Sequence, residues 1–296
     1  MATNGTTSDR PDRTPGLRAL LRVPADPDAA RARLAEITPD SIPAGPSSKD
    51  DGKDALQKYG DELYDLQERF YAAARGGVDR RILIVLQGMD TSGKGGVIEH
   101  VIGLINPGGV RIHSFKTPTE EERQHDFLWR VRRALPGQGQ IGIFDRSHYE
   151  DVLIAKVRQL VDADTIEQRY AQINEFEKEL VDDGYTLLKC FLNISKNEQK
   201  ERLLARLDDP TKHWKFNPGD VDERALWDDY QDAYFLALTR CSTEHAPWYA
   251  VPSDRKWYRN WAIGQLLVET LRELDPQYPR MDFDVEEQRQ RLLTAD

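Results

Sequence analysis

Cysteine is scarce in this chain of 296 residues: there are two, Cys190 and Cys241. They stand far apart and in no metal-ligand spacing, which argues against a disulfide framework or zinc site and for free thiols in a reducing compartment. Long apolar runs are missing as well. No stretch approaches the roughly eighteen apolar residues of a membrane-spanning helix, and the first residues lack the basic-then-apolar order of a secretion leader. A cytoplasmic protein without membrane contact is expected. Positive charge is in deficit, 41 Lys and Arg against 51 Asp and Glu for a net charge of −10. That total speaks against non-specific nucleic-acid binding but says nothing about a local basic groove.

What is present is a globular composition, with 39% hydrophobic residues and six tryptophans, sufficient for one large or two small domains. Residues 1 to about 20, rich in Ser, Thr, Pro, Asp and Arg, predict a mobile tail. A helical patch over 19–34 precedes a Pro, Ser, Gly and Asp cluster at 38–52 that interrupts regular structure. Residues 1–50 are therefore read as a mobile or partly helical extension, 51–280 as the functional domain and 281–296 as a C-terminal tail. Leu56, Tyr59, Leu63, Leu66 and Phe70 recur at three- and four-residue spacing and predict an amphipathic helix over 55–73. Strands are predicted at 82–86, 110–115, 141–144, 185–194 and 248–251. Helices are predicted at 94–105, 119–134, 226–238 and 257–274, and after Ser195, where Glu198 would complete a capping box. Strands bracketed by such helices imply an α/β fold, a parallel sheet covered on both faces. Between Asp145 and Tyr185 the pattern is purely helical, over 151–160 and 164–182, which suggests a lid; two ordinary packing helices are the alternative.

The strand Arg81-Ile-Leu-Ile-Val-Leu-Gln87 opens into Gly88-Met89-Asp90-Thr91-Ser92-Gly93-Lys94-Gly95-Gly96. A buried strand, a glycine turn, a lysine and a helix form the arrangement that presents backbone N–H groups and a cation to phosphate. Gly88, Gly93 and Lys94 fit the common phosphate loop, but Gly95 occupies the place of the metal-binding hydroxyl. Asp90 offers a carboxylate inside the loop, tolerable beside phosphates when a cation lies between. Asp145 and Arg146 follow a second apolar strand. Lys94, Asp90, Asp145 and Arg146 thus supply two cations and two metal-binding carboxylates, which points to phosphoryl transfer. His148 reads as structural, and Glu150 and Asp151 as first-turn capping carboxylates.

Two further cationic sets stand out. Arg206, Lys212 and Lys215, with Lys196, Lys200 and Arg202 before them, interleave with Trp214 and Phe216 and fit either substrate contact or solvated charge. Lys116, at a strand end, is placed to reach a ligand; Arg111 opens the same strand, and Arg123, Arg130, Arg132 and Arg133 follow it. In the segment 246–261, Trp248, Trp257 and Trp261 read as aromatic core.

The loop 88–96, the segment Phe144-Asp-Arg-Ser-His-Tyr-Glu-Asp-Val152, Pro210-Thr-Lys-His-Trp-Lys-Phe216 and Ala246-Pro-Trp-Tyr-Ala-Val-Pro-Ser-Asp254 with Trp257-Tyr-Arg-Asn-Trp261 together resemble the second polyphosphate kinase family, in its motif order and over about residues 50–275. The resemblance implies a P-loop kinase-like three-layer α/β/α fold with a helical lid near 146–182. It implies transfer of phosphoryl groups between inorganic polyphosphate and AMP or ADP, reversible at least between ADP and ATP. By the same resemblance Asp90 and Asp145 would hold Mg2+, with Mn2+ as a substitute; Lys94 would lie on the transferred phosphoryl and Arg146 between donor and acceptor. Lys94, Arg206, Lys212 and Lys215 would contact polyphosphate, and Asp90, Arg111, Lys116, Arg146 and Tyr149 the nucleotide. Met89 and the Ser-His-Tyr-Glu-Asp sequence look like members that accept AMP as well as ADP, whereas Gly95 departs from those that carry Asp there. A homo-oligomer, dimer or tetramer, is expected. The rivals are an ATP-dependent nucleoside monophosphate kinase and a non-catalytic nucleotide-binding regulatory module.

Overall fold

The computed structural model describes residues 16–295, so the tail expected at the N-terminus falls largely outside the described residues. Five strands, β1 (Arg81–Gln87), β2 (Val110–Ser114), β3 (Ile141–Asp145), β4 (Tyr185–Asn193) and β5 (Trp248–Pro252), form one sheet in the order β2-β3-β1-β4-β5. Every pairing is parallel. All five strands therefore end at one edge, where Leu86 lies opposite Asp145 and Ser114 opposite Asp145 in turn. β1, the middle strand, is buried along Ile82–Gln87, which accounts for its unbroken apolar run.

The helices are α1 (Leu17–Leu21), α2 (Pro27–Glu36), α3 (Lys49–Ala73), α4 (Lys94–His100), α5 (Trp129–Ala134), α6 (Ile154–Val157), α7 (Ala163–Asp182), α8 (Lys196–Leu207), α9 (Gly219–Ala225), α10 (Trp227–Arg240), α11 (Lys256–Leu274) and α12 (Val285–Leu293). α7 and α10 cover one face of β4, with Glu177 bonded to Lys189 and Tyr234 packed against Phe191. α11 packs on β4 and β5, with α3 and α4 against it. In the described part of the extension before residue 50, α1 packs on α11, and Val23 N–H donates to the Trp248 carbonyl at 2.8 Å, covering the β5 edge. Among the described residues no helix is long and apolar enough to cross a membrane.

Several elements differ from the sequence reading: the helix expected over 94–105 ends at His100, and the one expected over 151–160 is reduced to Ile154–Val157. α3 starts at Lys49, six residues earlier than predicted, because Ser48 caps the Asp51 N–H. Gly52 is tolerated inside it because a Cβ there would come within 2.3 Å of the Trp257 ring. The helix expected over 119–134 breaks, since the Asp126 side chain takes the Leu128 N–H and α5 begins at Trp129. Ser195 does cap α8, but Glu198 accepts from Arg202, and the Ser195 N–H goes to Asp254, so the box is not closed.

The segment 146–182 does not stand over the cleft. α7 buries Ile166, Tyr170, Ile173, Phe176 and Leu180, and its Glu177 is locked to β4. These are the packing helices of the alternative reading. The cleft is overhung instead by the loop after α8, through Lys212, Trp214 and Lys215.

Candidate active site

A cleft of about 1390 Å³ opens at the strand-end edge, bounded by α3, the loop 88–93, the start of α4, the ends of β2 and β3, α8 with its following loop, and the start of α11. Eleven Lys and Arg line it against four Asp and Glu. In a chain of net charge −10 this concentrates positive potential where the sheet edge and the glycine loop meet.

The loop leaves β1 at Gly88, turns through left-handed backbone at Thr91 (φ 65°) and Gly93 (φ 110°), and enters α4 at Lys94. Gly93 is obligatory: besides its φ, a Cβ there would fall 1.6 Å from Arg259 Nη1. The Lys94 ammonium folds back to donate to the Gly88 carbonyl at 2.8 Å, poised over the loop. Two arginines hold the loop from beneath. Arg202 donates to the carbonyls of Thr91 (2.8 Å), Ser253 (2.6 Å) and Asp254 (2.9 Å), tying the loop to the end of β5, and Arg259 donates to the Ser92 carbonyl at 3.1 Å.

Opposite the loop, Arg146 takes a left-handed φ of 63°, its N–H donating to Leu86 O at 3.1 Å. This unusual backbone turns the side chain toward the loop, where Nη2 donates to Asp90 Oδ1 at 3.0 Å. Asp145 accepts from Ser114 Oγ at 3.4 Å on the β2 side. Burial opposes the charge on Arg146, yet Glu150, Asp90 and Asp145 hold its guanidinium above the ordinary arginine value. Burial also lifts the Glu150 carboxyl, against the pull of Arg146 and Lys94. Glu150 is thus a third carboxylate of this cluster, where the sequence suggested a cap.

Asp90, Lys94, Asp145 and Arg146 therefore converge on one cleft, as the sequence reading expected. Lys116 lines the same cleft, its carbonyl fixed by Arg130 at 2.8 Å. So do Arg206, whose Nη1 donates to the Lys215 carbonyl at 2.8 Å, Lys212, paired with Asp209 at 2.7 Å, and Lys215, 5.0 Å from the Trp214 ring centre.

Two expected nucleotide contacts are not in the cleft. Arg111 pairs with Gly142 near the opposite end of the sheet, and its guanidinium donates to the Arg133 and Leu135 carbonyls, closing the C-terminus of α5. Tyr149 is fully buried: its hydroxyl donates to Glu177 at 2.7 Å and accepts from Lys189 at 2.9 Å. The chain turns inward directly after Arg146, so a residue three positions on lies under the site. His148 is structural, 3.3 Å from Glu177, and Asp151 pairs with Arg169 at 3.5 Å.

Sequence reasoning passed over Lys49, Lys53 and Arg259, which also line the cleft. Lys49 lay in the stretch read as irregular, and Lys53 between it and the helix predicted from residue 55. Arg259 had a signal: a guanidinium between Tyr258 and Trp261, in an aromatic helix, must be buried and must have a reason to be so.

Asp90 and Asp145 suit a hard divalent cation, being oxygen donors beside a cationic cleft. Among the described residues no three His, Cys, Asp or Glu side chains form a ready-made cage. Mg2+ is usually held by one or two carboxylates together with phosphate oxygens and water.

The sequence model of the family described as Polyphosphate kinase 2 matches residues 46–279. An AMP/ADP-polyphosphate phosphotransferase of Meiothermus ruber is 47% identical over 250 residues, 84% of this chain and 92% of that protein. An ADP-polyphosphate phosphotransferase of Rhodopseudomonas palustris is 42% identical over 244 residues, 78% of this chain and 83% of that protein. The crystal structure of polyphosphate kinase 2 from Arthrobacter aurescens TC1 superposes with a TM-score of 0.89 at 47% identity, covering 94% of this chain and 97% of that one.

Proposed function

Because this chain belongs to the polyphosphate kinase 2 family, we propose that it transfers phosphoryl groups between inorganic polyphosphate and AMP or ADP, yielding ADP and ATP, and runs in reverse at least between ATP and ADP. The observation that carries this reading is the cleft itself, in which eleven cationic side chains surround a glycine loop and three clustered carboxylates. One phosphate would not need so extended a field; a linear polyanion meeting a second anion end to end would.

An oxygen of the acceptor's terminal phosphate attacks the terminal phosphorus of the chain. The new P–O bond forms as the bond to the penultimate phosphate breaks, and polyphosphate leaves one unit shorter. The acceptor oxygen is already ionised near neutral pH, so no side chain need remove a proton. Lys94 offsets charge on the transferred group, and Arg146, aimed by Asp90, spans donor and acceptor. Arg206, Lys212 and Lys215 hold the polyphosphate chain, while Lys116 and Ser114, on the β2 side, face the nucleotide. Asp90 and Asp145 would hold Mg2+, or Mn2+ in its place; such an ion, when bound, neutralises the phosphate oxygens between which transfer occurs. In this reading the fold is of the P-loop kinase type, which the loop between β1 and α4 and the central position of β1 support. A homo-oligomer belongs to the same reading, supported by the exposed apolar side chains of Tyr278, Met281, Phe283 and Val285.

The test is purified protein with magnesium, long-chain polyphosphate and AMP or ADP, the products separated over time. ADP followed by ATP is the expected result. Product formed with ATP alone as donor would identify the monophosphate kinase, and affinity without turnover the regulatory module.

A further inference from the structure

Arg259 is 3% exposed and stands on the first turns of α11, directly beneath the loop. A buried guanidinium is ordinarily paired with a carboxylate, because an isolated charge is costly to remove from water. Arg259 has no such partner among the described residues. Its Nε and Nη2 donate to Asn260 Oδ1 at 3.1 and 2.8 Å, and its Nη1 to the Ser92 carbonyl at 3.1 Å, all neutral acceptors. The neighbouring charge is another cation, Arg202, whose own Nε pairs with Glu198 at 2.7 Å. Burial, and then Arg202, lower the Arg259 pKa to about 9.

The surrounding glycines show where this charge is directed. A Cβ at Gly93 would lie 1.6 Å from Nη1 and one at Gly96 2.7 Å from Nη2, so no side chain separates the guanidinium from the turn that cradles phosphate. Arg259 also borders the cleft.

We propose that Arg259 is a positioning residue for the donor chain: a buried charge left without a counter-ion in the free protein and balanced by the polyphosphate that settles on the Ser92–Gly96 turn above it. The inference rests on the proposed function. Its consequence is a coupling. The free protein carries the cost of the unpaired charge, and the anion relieves it, so ligand-linked stabilisation exceeds what the exposed lysines supply.

The experiment uses the full chain and inorganic tripolyphosphate, with thermal unfolding and calorimetric titration of the unaltered protein, Arg259→Met and Arg259→Lys. Arg259→Met is expected to keep or raise the melting temperature without ligand, since an apolar side chain of similar length replaces an unpaired buried charge. It should bind tripolyphosphate at least about tenfold more weakly, with a smaller thermal shift. Arg259→Lys, which keeps the charge and loses the fork, should stay within about threefold of the unaltered affinity. A Met variant that melts much lower yet binds as tightly would reduce Arg259 to a structural strut and overturn the proposal. If the Met variant does not fold, the Lys variant decides, a loss beyond about tenfold overturning it. Failure of the unaltered protein to bind tripolyphosphate would overturn the proposed function, and this inference with it.

Discussion

The Arg146 guanidinium reaches the Asp90 carboxylate across 56 positions of sequence, at 3.0 Å, and so ties the end of β3 to the loop after β1. The two strands are paired from Ile82 with Ile141 to Leu86 with Asp145, so the residues that follow them leave the sheet side by side. The geometry of the bridge depends on the left-handed backbone at Arg146, a conformation costing roughly 1–2 kcal/mol for a non-glycine residue.

Arg146→Lys preserves the charge but not the planar fork, and is expected to lower kcat/KM about a hundredfold, roughly 3 kcal/mol of transition-state stabilisation. Steady-state kinetics with polyphosphate and ADP check this, with circular dichroism showing the fold intact. Retained activity would remove Arg146 from the transfer step.

Lys212→Glu places an anion on the loop that overhangs the cleft. It is expected to raise the KM for polyphosphate at least about tenfold and leave that for nucleotide within about twofold. Equal losses for both substrates would refute the assignment of this loop to the polyphosphate chain.

Tyr149→Phe tests the reassignment of a residue that looked like a nucleotide contact. Losing a hydroxyl bonded to Glu177 and Lys189 should cost about 1–3 kcal/mol of stability in urea unfolding, with the nucleotide KM unchanged.

Glu177 carries a pH dependence. Burial alone would lift its carboxyl, but Lys189, at 2.5 Å, and His148 outweigh burial and hold it below the ordinary carboxylate range. A depressed native pKa contributes stability that is complete above the unfolded value, about 4.3, and lost as pH falls through the native one. Glu177→Gln should therefore cost roughly 3–5 kcal/mol at neutral pH by stranding Lys189. The variant's stability should also fall less on acidification below about pH 4. Thermal unfolding across pH reads both effects.

Gly93→Ala should lose at least about 2 kcal/mol from backbone strain and the clash with Arg259. Gly95→Ala, in α4 with nothing within 4 Å of the new Cβ, should gain up to about 1 kcal/mol. The two loop glycines thus separate by sign in one denaturation experiment.

Much of this was legible beforehand, for physical reasons. β1 and β4 announce themselves because a strand covered on both faces must be apolar throughout, and Asp145 because a carboxylate ends such a strand. Tyr149 and Arg111 were misplaced because periodicity does not say which way a chain turns after a strand or which end of the strand faces the ligand. The expected lid failed for a related reason: the apolar stripe of α7 identifies a helix that must pack, and packing against β4 excludes hovering over the cleft. The burial of Arg259 was signalled by its aromatic neighbours, but not its place at the site, because Ser92 and Gly93 are 167 and 166 positions away and meet it through backbone that carries no sequence signature.

One feature of the overhanging loop has an optical meaning. Trp214 is 79% exposed, while the other five tryptophans are buried or half-buried. Its indole sits at the cleft mouth beside the Lys215 ammonium. Excited at the red edge of tryptophan absorption, the protein should emit a water-relaxed component from this single ring. Drawing Lys215 away toward an incoming anion alters the field on that ring, so the unlabelled chain carries its own fluorescent indicator of occupancy.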